Sequence, residues 1–162
     1  SRFNHKYPNS FVLPETKVDE RVMIVPGTDG RKMSKSYNNF INIFLPDKKL
    51  KKQIMGIKTD STSIEDKKDA ELCNVYKIYK LLSTKEQAAN LLAKYAAGNY
   101  GYGNAKLELF ELICDNYSLE RERFNYLMDN KTIIDNELDK GSIKARAIAK
   151  EVLQRVRKNI GY

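Results

Sequence analysis

Pro26-Gly27-Thr28-Asp29-Gly30-Arg31-Lys32-Met33-Ser34-Lys35-Ser36-Tyr37-Asn38-Asn39 is too polar and glycine-rich to be a core element, and it separates two unlike parts of the chain. Before it stand short β-type runs, Phe11 to Leu13 and Arg21 to Val25, broken by Pro14 and Pro26, as at the edge of an α/β domain. Beyond it the apolar residues recur at helical spacing almost without interruption. The expectation is a mainly α chain: residues 1–45 form the edge of an α/β domain, and residues 46–162 form an all-α bundle of five to seven helices. The polarity of the loop itself predicts exposure and mobility.

The helical part is read from stripes and caps. Pro46-Asp47 resembles a helix start, with Leu50, Ile54 and Ile57 on one face and a turn at Lys58 to Ser63. Leu72, Val75, Tyr76, Tyr79 and Leu82 predict the next core stripe. Ser83 with Glu86 reads as a capping box before Leu91, Leu92 and Tyr95, and Gly98 is placed to stop that helix. Asn104 is the expected cap of a helix burying Leu107, Phe110, Ile113 and Cys114. Ser118 starts another, with Phe124, Leu127 and Met128 inward. Ile133, Ile134 and Leu138 predict a short helix ending near Gly141, and Ser142 caps a last one with Ala145, Ala149, Val152, Val156 and Ile160 inward.

The 162 residues suffice for one domain, or for one small domain with part of another. Twenty-nine Lys and Arg against 21 Asp and Glu leave a net charge of +8, which suits an anionic partner such as RNA. With 41% hydrophobic and 31% charged residues, disorder throughout is excluded. No apolar run approaches the ~18 residues of a membrane helix, and the start has no signal core, so the reading is cytoplasmic. The chain opens without Met, in mid-pattern, as a part of something longer. Cys73, Cys114 and His5 lie far apart in sequence and spell out no metal-ligand cluster.

The chemistry resides in Lys32-Met33-Ser34-Lys35-Ser36. Two lysines three apart on a loop of small residues can reach one polyphosphate from the same side. An ammonium about 4 Å from a phosphate oxygen, at an effective dielectric of ~20, contributes up to ~4 kcal/mol. If that gain appears mainly as charge moves to a leaving pyrophosphate, each lysine changes the rate by roughly a thousandfold. Ser34 and Ser36 add hydroxyl donors, Asp29-Gly30 lets the backbone turn, and Met33 is expected to pack beneath the loop.

The pentapeptide matches the signature loop of class I aminoacyl-tRNA synthetases. Phe11-Val12-Leu13-Pro14-Glu15, Pro26-Gly27-Thr28-Asp29-Gly30-Arg31 and Ser36-Tyr37-Asn38-Asn39 resemble the tryptophanyl-tRNA synthetase family, as do Gly101-Tyr102-Gly103 with Lys106, Glu122-Arg123, Gly141 with Lys144-Ala145-Arg146, and the ending Arg155-Val156-Arg157-Lys158-Asn159-Ile160-Gly161. The resemblance implies that residues 1–45 are the C-terminal piece of a Rossmann-type catalytic domain, carrying the KMSKS loop, and that residues 46–162 are a helical anticodon-binding domain. It implies attack of L-tryptophan on ATP with Mg2+, then transfer of the acyl group to tRNA(Trp), by an intact enzyme that is a homodimer. Lys32 and Lys35 carry the pyrophosphate-side charge as the catalytic pair. The ATP-binding residues are these two with Met33 and Ser34, and with Met23 and Ile24, whose backbone meets adenine. The family's His-Ile-Gly-His motif and the indole-selecting residues are missing, so the chain is expected to be inactive alone. Asn38-Asn39 replaces the more usual Gly-Asn after the loop.

Two other readings stay open on the residues alone: a non-enzymatic RNA-binding helical module that kept the loop, and a tyrosine-specific relative. Basic residues on the last helix suit phosphates. Glu122 and Arg123 are expected to serve structural ion pairs.

Overall fold

The computed structural model describes residues 1–18 and 24–162. Among these residues there is no strand; one isolated antiparallel bridge joins Pro26 to Lys32. The β-type run Phe11 to Leu13 is irregular, and Arg21 to Met23 lie outside the described residues. An extended run becomes a strand only when its peptide groups find a ladder, and those of Phe11 are taken elsewhere. The Asn4 side chain donates to its carbonyl at 2.6 Å and accepts from its N–H at 2.9 Å.

The chain divides into two compact units, Val18–Phe124 and Ser1–Lys17 with Asn125–Tyr162. The first is built on α2 (Asp47–Met55), α3 (Asn74–Leu82), α4 (Lys85–Ala97) and α5 (Tyr102–Asn116). Helix α5 packs on α2 and α3, and α3 packs on α4. Leu50 and Ile54 of α2, Val75, Tyr76, Ile78 and Tyr79 of α3, Leu91 and Tyr95 of α4, and Ala105, Leu109, Leu112 and Ile113 of α5 form one buried cluster. Each large aliphatic side chain taken from water there stabilises by about 1.5–3 kcal/mol. Tyr95 is its centre: fully buried, edge-on to Tyr102 at 6.0 Å, with its hydroxyl 3.5 Å from Cys73 Sγ.

The stripes expected on α2 and α3 hold, except that Leu72 is 73% exposed, because it precedes the first turn of α3 and helical spacing does not apply to it. On α4, Leu91 and Tyr95 are buried but Leu92 is exposed. The capping box sits one residue later than expected. Thr84 Oγ1 accepts from Gln87 N at 3.2 Å, and Gln87 Oε1 accepts from Thr84 N at 2.9 Å. Ser83 is already committed to closing α3, its N–H donating to Tyr79 O at 2.9 Å. Helix α5 starts at Tyr102 rather than Asn104, since the Tyr102 hydroxyl is anchored on Asp60 at 2.9 and 3.0 Å. Its deepest face runs through Ala105 and Leu109; Leu107, Phe110 and Cys114 are only partly buried. The small Ala105 lets backbones approach closely, which a search for large apolar residues overlooks.

Helix α6 (Ser118–Asp129) begins where Ser118 predicts, but Phe124 and Met128 remain exposed; Phe124 stacks on Phe44 with centroids 4.7 Å apart. An ion pair joins its Arg121 to Asp47, and the Arg121 guanidinium also donates to Ile43 O.

In the other unit, α1 (Arg2–Lys6) and the 30-residue α7 (Lys131–Ile160) are the helices. The two helices expected around Gly141 and Ser142 are one. A glycine stops a helix by taking a left-handed φ; Gly161 does so at φ 95, whereas Gly141 is absent from the positive-φ glycines. Inside a helix a glycine costs only about 1 kcal/mol relative to alanine. Leu138 is exposed, as are Ala145 and Ala149; Val152 and Val156 are half-buried, and Ile160 is exposed. Arg155 Nε donates to Ser10 O at 3.0 Å, and Asn159 Nδ2 donates to Ser10 Oγ at 2.9 Å, so α7 holds the 8–10 turn.

Two stability outcomes follow. Gly141→Ala meets no atom within 4 Å of the added Cβ and raises stability by up to about 1 kcal/mol in urea unfolding, since the site is helical; a loss would restore the two-helix reading. Tyr95→Ala lowers stability by about 3–5 kcal/mol through the cavity it leaves, whereas Tyr95→Phe stays within about 1.5 kcal/mol because only the thiol contact is removed.

Candidate functional site

The loop of residues 25–39 is tied at its base like a small hairpin. Met33 N donates to Val25 O at 2.8 Å, Gly27 N to Arg31 O at 2.7 Å, and Gly30 N to Gly27 O at 3.0 Å. Gly30 turns the chain with φ 84, a conformation glycine enters without penalty. A Cβ there would also come within 2.8 Å of the Asn74 side chain. Beyond Lys32 the chain enters one 3₁₀ turn, Lys35–Tyr37. Its cap is Ser34, whose Oγ accepts from Ser36 N at 3.2 Å, and Asn38 at φ 51 closes it. Asn is among the few side chains at ease in that left-handed region.

Asn39, only 2% exposed, organises the interior of the loop. Its Oδ1 accepts from Ser34 N at 2.7 Å; its Nδ2 donates to Asp29 Oδ1 at 2.7 Å and to Lys32 O at 3.2 Å. Its own carbonyl accepts from Thr28 N at 2.8 Å. The fit is close: a Cβ on Gly27 would lie 2.3 Å from Asn39 Nδ2, so only glycine is admitted at 27. Asp29 in turn accepts from Arg31 N at 3.1 Å and from Arg31 Nε at 2.7 Å, and the Arg31 guanidinium lies 4.7 Å from the Tyr37 ring centroid. The Asn39 amide, together with Arg31 and against a smaller effect of desolvation, holds the Asp29 carboxyl down at about 2.

The loop is also fastened to the helical bundle. Lys58 N donates to Thr28 O at 2.8 Å, and Asn74 Nδ2 donates to Lys58 O at 3.2 Å. After the loop, Gln53 of α2 spans residues 40–42, donating to Phe40 O at 2.8 Å and accepting from Asn42 N at 2.9 Å.

Against this frame the residues singled out from sequence fall as follows. Lys32 and Lys35 are exposed, and neither forms an ion pair among the described residues. Met33 is half-buried, as expected of a residue packed under the loop. Ser34 is half-buried; its Oγ is used as an acceptor, which leaves the hydroxyl proton to donate outward. Ile24 is 57% exposed on the rim of a cleft of about 950 Å³ that Pro26, Tyr76, Lys80 and Leu92 also line, and Met23 lies outside the described residues. The sequence reading quoted Asn39 only within the stretch after the loop, where the family's usual Gly-Asn also ends in Asn, and gave it no role. It also credited Asp29 with turn formation alone. A pair of ammonium groups presented outward on a hydrogen-bonded arc is equipped to bind an anion with several oxygens.

The sequence model of the tRNA synthetases class I (W and Y) matches residues 1–118. The tryptophan–tRNA ligase of Campylobacter jejuni strain RM1221 is 44% identical over 160 residues, covering 99% of this chain and 50% of the relative. That of Fusobacterium nucleatum subsp. nucleatum is 44% identical over 161 residues, covering 99% and 49%. The crystal structure of the C. jejuni tryptophanyl-tRNA synthetase complexed with ADP and tryptophan superposes with a TM-score of 0.83 at 44% identity, over 99% of this chain and 50% of that one. The chain thus spans about half the length of the curated relatives it matches. Residues 1–118, the loop of residues 25–39 among them, place it in a family: the chain belongs to the class I tRNA synthetases of the tryptophan and tyrosine branch.

Proposed function

We propose that this chain is the C-terminal part of a tryptophan–tRNA ligase, which activates L-tryptophan with ATP to tryptophanyl-adenylate and then loads tRNA(Trp) in the cytoplasm. In this reading residues 1–45 close the edge of a Rossmann-type catalytic domain and residues 46–162 are the anticodon-binding domain; the intact enzyme is a homodimer. The observation that carries it is the loop: two exposed lysines on a backbone fixed from within by Asn39 and from below by Lys58 and Gln53.

Lys32 and Lys35 stabilise the negative charge that accumulates on the departing pyrophosphate, and Ser34 donates to a phosphate oxygen. Because the arc is already hydrogen-bonded, little reorganisation is left to the moment of reaction. The cleft beside Ile24 is wide enough for a purine, and adenine meets the backbone of Ile24 at its edge; Met23, the other expected adenine contact, lies outside the described residues. Mg2+ would enter with the nucleotide and would offset phosphate charge there beside Lys32 and Lys35. The chemistry asks little of side-chain acids or bases, since transfer at phosphorus is dominated by positioning and charge. On the RNA side, Lys144, Arg146, Lys150 and Lys158 are exposed along α7, spread over about half of its circumference, and are the cations that meet the phosphate backbone of tRNA.

In a full-length ligase carrying this chain, Lys35→Ala lowers tryptophan-dependent pyrophosphate exchange by up to roughly a thousandfold, while tryptophan binding measured by calorimetry survives. Near-normal exchange would refute the role. For the RNA surface, titrating the chain with tRNA at several salt concentrations gives a log–log slope of about −0.7 to −0.9 per phosphate contacted. Combining Lys144→Ala with Lys150→Ala flattens that slope by about two contacts; an unchanged slope places the RNA elsewhere.

A further inference from the structure

The loop holds one buried polar side chain, Asn39, only 2% exposed, that touches both segments from which the lysines project. Asn39 grips Ser34 N and Lys32 O, the two peptide groups on either side of Met33. Lys32 leaves the chain at the first of these points, and the 3₁₀ turn that carries Lys35 begins at the second, capped by Ser34. A single amide therefore sets the origin of both amines. We propose that Asn39 is a positioning residue for adenylate formation, acting through Lys32 and Lys35, and that the ionised Asp29 carboxylate fixes which way its amide faces. This inference rests on the phosphate-binding reading of the loop given above.

The orientation argument is one of donors and acceptors. Oδ1 must accept, because Ser34 N can only donate. Nδ2 must donate, because Asp29 Oδ1 at 2.7 Å and Lys32 O at 3.2 Å can only accept. No other side chain of this size offers both at once. The isosteric Asn39→Asp would keep the Ser34 bond while setting a carboxylate against that of Asp29, and Gly27 leaves no space for either to withdraw. What is lost is preorganisation of the lysines, so the loss appears where charge develops in the transition state. Transfer of the acyl group from finished adenylate to tRNA involves no pyrophosphate and is spared.

The test uses a full-length ligase carrying this chain, with Lys35→Ala as reference. Asn39→Asp is expected to lower kcat for ATP–pyrophosphate exchange by about tenfold or more, with KM for tryptophan and single-turnover transfer from preformed adenylate within about twofold. The double variant Asp29→Asn with Asn39→Asp, in which the amide at 29 now donates to the carboxylate at 39, recovers part of the lost rate. Should Asn39→Asp not fold, Asp29→Asn weakens the same bond from the solvent side and lowers kcat in the same selective way. Unchanged exchange in the Asn39 or Asp29 variants beside a crippled Lys35→Ala overturns the inference and leaves the functional reading standing. Exchange and transfer falling together overturns it also, since that is the behaviour of a merely structural residue. If Lys35→Ala itself is silent, the functional reading falls and this inference with it.

Discussion

A primary amide removed from water must have its hydrogen-bonding groups met, because each one left unpaired costs about 1–3 kcal/mol. That requirement, applied to Asn39, is the constraint from which the rest of the loop follows. With the amide 2% exposed, the loop has to bring an N–H to one side of it and two acceptors to the other. Asp29, Lys32 and Ser34 are where those groups are found, and Gly27 is where the chain must pass without a side chain. A composition that reads as flexible thus folds into a defined arc. Polarity on a loop speaks of solvent only when the polar groups have no partners within it.

Such an arc needs a foundation, and the helices supply it through polar groups rather than through the apolar core alone. Gln53 satisfies both the carbonyl of Phe40 and the N–H of Asn42. Buried lysines brace the same unit: Lys106 donates to Met55 O at the end of α2, where a helix presents unpaired carbonyls, and desolvation there lowers the pKa of its ammonium. Lys68 donates to Ser63 O and Asp66 O, and its ammonium lies 5.3 Å from the Tyr102 ring centroid. Cations that from composition alone count toward an RNA surface are, at these two positions, internal fasteners. Net charge names a class of partner, but only burial tells which charges are offered to it.

The helices of the first unit were legible because their apolar period was: Leu50 and Ile54, Val75 and Tyr79, Leu91 and Tyr95 all lie where helical spacing puts them. What could not be read was decided by tertiary contacts or by neighbours in competition. Thr84 rather than Ser83 caps α4 because Ser83 closes the preceding helix. Tyr102 rather than Asn104 opens α5 because Asp60 is in reach of its hydroxyl. Gly141 stays helical because nothing in its surroundings asks for a left-handed turn. At the site, the pentapeptide singled out the lysines, whereas Asn39 and Asp29 were seen in the motif without the contacts they make: those depend on which polar groups the fold encloses with them, and a linear pattern carries no such information.

The same distinction explains the division among the loop's three cations. Arg31 is spent on structure: its planar guanidinium engages the Asp29 carboxylate and lies over Tyr37, geometry that suits a fork of several donors. The oxygens of Asp29 are engaged by Arg31 and Asn39 rather than by either lysine. Lys32 and Lys35 are left with no anion of their own among the described residues, and each is a compact charge on a flexible stem, able to follow phosphate oxygens as they move. An acid placed three residues before an exposed lysine would ordinarily pair with it. Here it serves to order the loop only because its charge has been satisfied in another direction.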